Sequence, residues 1–183
     1  MRQLPNLLTV LRLLLTIPIA WLLLAERHGQ ALSLFAVAGF TDALDGFLAR
    51  RFKWITRLGS ILDPIADKLL LVTSYLCLSL TAVLPWWLTA VVLLRDLLIV
   101  SGAALFRYLV GPLQFRPTWL GKLSTLLQIV LVLAVLLELS ILPAFAEVRP
   151  ALVITVLLLA VLSGGHYVWV WGRKYHSARL RAS

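Results

Sequence analysis

Acidic residues are scarce in this chain. There are 8 Asp and Glu against 17 Lys and Arg in 183 residues, and charged side chains of both signs make up only 14%. A soluble domain carries about 25% charged residues, so a water-soluble globular domain is excluded. The single cysteine, Cys77, lies in an apolar run. It can form no internal disulfide, and a cysteine-based metal site is excluded with it. The chain also shows no repeat, no low-complexity tract and no long linker.

What is present is apolar. Hydrophobic residues make up 61% and the mean hydropathy is +0.96, enough for about six spans of roughly 20 residues each. Apolar segments run over 6–25, 30–49, 59–80, 86–106, 119–140 and 150–171. The expected architecture is therefore an all-α integral membrane protein with about six transmembrane helices, forming one membrane-embedded domain over residues 1–183. The first segment reads as a span and not as a cleaved signal peptide, because Arg12 interrupts it and no small-x-small site precedes Glu26.

The polar breaks hold the basic residues. Arg50, Arg51, Lys53 and Arg57, then Arg107 and Arg116, then Arg173, Lys174, Arg179 and Arg181 fall on one side if the N-terminus is cytoplasmic. The other side holds Arg27 and Arg149. By the positive-inside rule both termini are cytoplasmic. The net charge of +9 then reflects topology and attraction for anionic lipid, not nucleic-acid binding. Trp86, Trp87, Trp119, Trp169 and Trp171 fall at segment ends, as interfacial aromatics do.

Four of the eight acids, Asp42, Asp45, Asp63 and Asp67, fall between positions 42 and 67 at segment ends. Charged residues inside a membrane are costly and mark function. On a helix, Asp42, Asp45, Gly46 and Ala49 share one stripe, and Gly59, Asp63 and Asp67 share another. Pro64 is expected in the first turn of the third segment. Folding the two helices antiparallel about residues 50–58 pairs Asp42 with Asp67 by depth, and Asp45 with Asp63. Four carboxylates so close cannot all stay ionised without cations. Hard divalent ions with oxygen ligands fit, Mg²⁺ best where substrate phosphates complete the shell. Two such ions would clamp a phosphoryl group. Gly46 and Ala49 leave room for a substrate, and Arg50 offers charge to phosphate oxygens.

These positions read Asp42-x2-Asp45-Gly46-x2-Ala49-Arg50-x8-Gly59-x3-Asp63-x3-Asp67. The pattern resembles the signature of the CDP-alcohol phosphotransferase family, with eight specified positions matching and no departure. The resemblance implies six transmembrane helices in a homodimer, with an alcohol attacking the β-phosphate of a CDP-linked donor and CMP leaving. It implies two Mg²⁺ (or Mn²⁺) ions on Asp42, Asp45, Asp63 and Asp67, and Asp67 as general base. It implies a CDP site formed by Asp42, Asp45, Gly46, Ala49, Arg50 and Gly59.

Within the family, the start from Leu4 to Arg12 is similar to the phosphatidylglycerol and cardiolipin branch. Arg95-Asp96, and the stretch Arg116-Pro117-Thr118 followed by Lys122 with Ser124, resemble the CMP-forming cardiolipin synthases. The resemblance thus implies CDP-diacylglycerol as donor and phosphatidylglycerol as acceptor, with glycerol 3-phosphate the alternative. Arg95, Asp96, Arg107 and Lys122 are candidate acceptor contacts. Arg95 and Asp96, being consecutive, are not expected to share a helix face, and Asp96 is a candidate to orient Arg95 or a nearby cation. Arg107 and Lys122 read equally as positive-inside anchors. A cation transporter using intramembrane carboxylates would spread its acids along a path; these are confined near one membrane face. A span starting so soon after residue 1 suits a bacterial inner membrane.

Overall fold

The computed structural model describes residues 4–52, 59–110 and 118–180. Among the described residues the chain is all helical: α1 (Leu4–Leu24), α2 (His28–Phe52), α3 (Gly59–Leu80), α4 (Trp86–Val110), α5 (Trp119–Ser140) and α6 (Arg149–Leu180), with a 3₁₀ turn over Pro143–Ala146. The six expected segments are these six helices. Helices α2, α4 and α6 run further than hydropathy predicts, to Phe52, Val110 and Leu180. Basic residues such as Arg50, Arg51 and Lys174 end a hydrophobic run without breaking a helix, since Arg and Lys are good helix formers. Lys53, Trp54, Arg57 and Arg116 lie outside the described residues.

The large apolar side chains point outward as well as inward. Ile17, Phe40, Leu94 and Leu97 are each about two-thirds exposed or slightly more. Water would not tolerate such a surface on a soluble monomer, whereas lipid requires it. Leu7–Leu24, Trp119–Ser140 and Arg149–Val170 are long and apolar enough to cross a bilayer by composition. Helices α2, α3 and α4 are as long, at 25, 22 and 25 residues, and carry the charged motifs. The chain is a multi-pass membrane protein.

The chain forms two compact units. The first comprises Met1–Pro85 and Val132–Glu147, the second Trp86–Leu131 and Val148–Ser183. In the first, α1 packs against both α2 and α3. Its inward stripe is Thr9, Arg12, Thr16, Ile19 and Leu23, all at most 3% exposed. The alternating steps of three and four keep one face of the helix inward. On α2 the buried stripe is Ala31, Phe35 and Ala38, whose two alanines permit close helix approach. On α3 it runs through Ala66, Leu70, Ser74 and Leu78.

Two helices of this unit end in the same way. Arg27 N–H donates to Leu22 O and Glu26 N–H to Leu23 O, with Glu26 at φ 57. Val83 N–H donates to Leu78 O and Ala82 N–H to Ser79 O, with Ala82 at φ 56. Both are Schellman caps built without the usual glycine. Pro64 differs from expectation: α3 already begins at Gly59, so the proline falls in the second turn. The carbonyl four residues earlier, at position 60, receives no intrahelical N–H from it.

In the second unit α4 packs against α6. Thr118 caps α5: its hydroxyl accepts from Gly121 N–H at 3.2 Å, and its carbonyl accepts from Lys122 N–H at 3.1 Å. Its own N–H donates to the hydroxyl of Tyr167 on α6 at 3.2 Å.

Candidate active site

The carboxylates of the first unit are organised by a residue on the other helix. Arg12, 1% exposed, places Nη2 2.6 Å from Asp42 Oδ1 and donates through Nη1 to Asp67 Oδ1. One guanidinium thus joins the acidic motif residue of α2 to that of α3, which the depth pairing had matched. One turn away on the same face of α1, the hydroxyl of Thr9 donates to Asp63 Oδ1. Thr16 extends the stripe, its hydroxyl donating to Arg12 O at 3.0 Å. Asp42 and Asp67 remain 44% and 47% exposed on their side chains, so the pair is open on the side away from α1.

Asp45, Gly46, Ala49 and Arg50 lie on α2 and Gly59 opens α3, but their side-chain surroundings lie outside the described residues, as do those of Arg107 on α4. Among the described residues no three carboxylates, imidazoles or thiols gather in coordinating geometry. Asp42 and Asp67 are engaged by Arg12 and Asp63 by Thr9. The donor chemistry nonetheless suits a hard divalent cation: all-oxygen, anionic, from two helices, and partly open.

In the sequence Arg12 stands as an interruption of an apolar span, and Thr9 carries no evident role. The signal was present. Thr9, Arg12 and Thr16 are spaced by three and four within an otherwise apolar helix, and an intramembrane cation on such a stripe needs a partner.

The second unit holds a separate polar cluster. Arg95 and Asp96 are each 7% exposed. Arg95 Nη1 donates to Asp96 Oδ1 at 2.8 Å, and Nη2 to Ser163 Oγ at 2.8 Å and Gly121 O at 3.3 Å. Asp96 thus orients Arg95, because the long arginine stem folds the guanidinium back over its own helix. Arg95 links α4 to α5 and α6. Its Nε–H is buried and has no hydrogen-bond partner among the described residues. Lys122 is exposed one turn into α5. Alongside Arg95 lies an open groove of about 700 Å³, lined by Val91, Leu94, Leu98, Ala160 and Val168 among others.

The sequence profile of the CDP-alcohol phosphatidyltransferases matches residues 2–169, which spans both units. The chain belongs to the CDP-alcohol phosphatidyltransferase family. It is therefore an enzyme of phosphatidyl transfer. It is 37% identical over 177 residues to a probable phosphatidylglycerophosphate synthase of Mycobacterium tuberculosis, covering 91% of this chain and 80% of that protein. It is 38% identical over 128 residues to a CMP-forming cardiolipin synthase of Streptomyces coelicolor, covering 66% of this chain and 59% of that one. The CMP-forming cardiolipin synthase of Rattus norvegicus is 35% identical over 148 residues, covering 71% of this chain and 48% of the rat protein. The chain thus spans only about half to three-fifths of these two cardiolipin synthases, but four-fifths of the mycobacterial protein.

Proposed function

We propose that this phosphatidyltransferase uses CDP-diacylglycerol as donor and phosphatidylglycerol as acceptor, forming cardiolipin and releasing CMP. The acceptor hydroxyl oxygen bonds to the β-phosphorus of the donor. The bond from that phosphorus to the bridging oxygen breaks, and CMP carries away the electron pair. Asp67 takes the hydroxyl proton. Asp42, Asp45, Asp63 and Asp67 are the residues to hold two Mg²⁺ (or Mn²⁺) ions, which when bound would stabilise charge on the phosphoryl oxygens. Asp42, Asp45, Gly46, Ala49, Arg50 and Gly59 form the CDP site.

The observation that carries this reading is the convergence of Asp42 and Asp67 on one guanidinium, with Asp63 a turn away. Two helices of the acidic motif are thereby held with their carboxylates facing a common, partly open space. For the acceptor, the groove beside Arg95 is apolar apart from that residue and Ser101, which suits an acyl chain better than glycerol 3-phosphate. Arg95 offers its Nε–H, with Asp96 orienting the guanidinium, and Arg107 and Lys122 supply further positive charge. The site faces the cytoplasm of a bacterial inner membrane, with both termini cytoplasmic, and the enzyme works as a homodimer forming one functional domain per chain.

Glycerol 3-phosphate is a second acceptor reading, favoured by the mycobacterial relative, which matches the most of this chain among the relatives described above. Purified enzyme given CDP-diacylglycerol and Mg²⁺ with either acceptor decides between them, the lipid product being identified by mass spectrometry. CMP release with phosphatidylglycerol is expected. Release with glycerol 3-phosphate alone sinks the cardiolipin reading.

A further inference from the structure

We infer that Arg12 is a built-in counter-ion which holds Asp42 and Asp67 together and yields them to divalent cations when these load. The inference rests on the reading of these aspartates as metal ligands given above. Arg12 is almost wholly buried on α1, and its two terminal nitrogens go to carboxylates of two different helices. A buried guanidinium cannot lose its proton to escape the cost of burial, so its charge must be matched by anions. The carboxylates face the converse problem, since like charges that close repel strongly. In this structure each solves the other's problem.

Charge arithmetic makes the arrangement exchangeable. Four aspartates carry four negative charges, and two divalent ions supply four positive ones. Arg12 is then surplus. With fewer cations present, Arg12 is the charge that keeps the carboxylates from driving α2 and α3 apart. Thr9 differs in kind. It satisfies Asp63 with a neutral hydroxyl and leaves that aspartate's charge available for a cation. The exposed sides of Asp42 and Asp67 give an ion an approach that does not pass Arg12. A residue that merely framed the site would strengthen metal binding by preorganisation. A counter-ion competes with the metal for the same oxygen atoms.

The two roles predict opposite signs in Mn²⁺ binding, read by electron paramagnetic resonance on the full chain in detergent. Arg12→Gln should bind Mn²⁺ more tightly than wild type, by about tenfold for loss of one unit charge at contact distance in a partly screened site. In EDTA its melting temperature should fall below wild type, and Mn²⁺ should raise it by the larger increment. Equal or weaker Mn²⁺ affinity in Arg12→Gln overturns the inference. Should that variant fold only with Mn²⁺ present, the metal is replacing the missing charge, which supports it. Should it not fold at all, Arg12→Lys decides. Lysine keeps the unit charge but concentrates it on one flexible nitrogen, without the planar fork that gives each carboxylate its own nitrogen, so its hold on the pair is looser. This variant should bind Mn²⁺ more tightly than wild type, and equal or weaker binding overturns the inference. Wild type and both variants all failing to bind Mn²⁺ would instead remove the metal-ligand reading itself, and the inference with it.

Discussion

Arg95 Nη2 lies 2.8 Å from Ser163 Oγ, joining α4 to α6 across 68 positions of sequence. The same guanidinium reaches Asp96 on its own helix and the carbonyl of Gly121 on α5. An arginine with its forked donors spent on three helices holds them together as well as facing a substrate. Arg95→Gln is expected to lower thermal stability strongly, since breaking a buried ion pair by removing one partner costs about 3–5 kcal/mol. Thermal denaturation in detergent and the acceptor KM of the surviving enzyme should be measured together. An unchanged melting temperature with a raised KM would assign Arg95 to the acceptor alone.

Gly121 is the point where that cluster is tightest. A Cβ built there would lie 3.1 Å from Tyr167 Oη, 3.2 Å from Thr118 Oγ1 and 3.3 Å from Arg95 Nη2. All three neighbours are held by hydrogen bonds of their own, so none can retreat without loss. Gly121→Ala should therefore destabilise the protein by about 1–3 kcal/mol, the usual cost of overpacking. Ser163→Ala, which deletes one acceptor without adding bulk, should cost less, about 1 kcal/mol. Denaturation midpoints of the two variants give the order, and a more stable Gly121→Ala would refute the packing argument.

Hydropathy and the spacing of four aspartates made much of this enzyme legible in its sequence. Segment positions follow from lipid as solvent, because a span must be apolar throughout and the charges that end it stand out. The stripe geometry of Asp42, Asp63 and Asp67 follows from helical periodicity alone. The stripe of Thr9, Arg12 and Thr16 signals that Arg12 needs a partner, but not which one, because its partners lie 30 and 55 positions away and periodicity speaks only of one helix at a time. Asp96 as an orienting partner of Arg95 was legible, although Cβ direction separates neighbours on a helix, because a flexible arginine stem can return over its own backbone. The cap residues Glu26 and Ala82 were hidden because neither is the glycine or asparagine that a left-handed cap favours.

Asp67 is proposed to take the proton from the acceptor, and it is also an anchor for Arg12. Asp67→Asn retains shape and hydrogen-bonding capacity but cannot accept the proton as a carboxylate does. Turnover should be abolished, while circular dichroism and detergent elution show a folded, inserted protein. The loss should persist in kcat at saturating Mg²⁺ and donor, because the group that accepts the proton in the transition state has been removed. Near-normal CMP release from this variant would rule out Asp67 as the base.

Ala82 ends α3 at φ 56 and is exposed. A left-handed conformation costs an L-residue about 1–2 kcal/mol, and nothing packed around an exposed methyl group offsets that. Ala82→Gly relieves the strain and keeps both capping bonds, which are made by the backbone: Val83 N–H to Leu78 O and Ala82 N–H to Ser79 O. Against the gain stands the greater freedom of glycine in the unfolded chain, about 0.4–1 kcal/mol. The difference favours the variant by about 0.5–1 kcal/mol, read as a higher melting temperature with unchanged activity. Ala82→Val tests the same strain from the other side, since a β-branched residue fits a left-handed backbone worse than alanine does. It should melt below wild type, and finding both variants at the wild-type temperature would mean that the cap carries no strain.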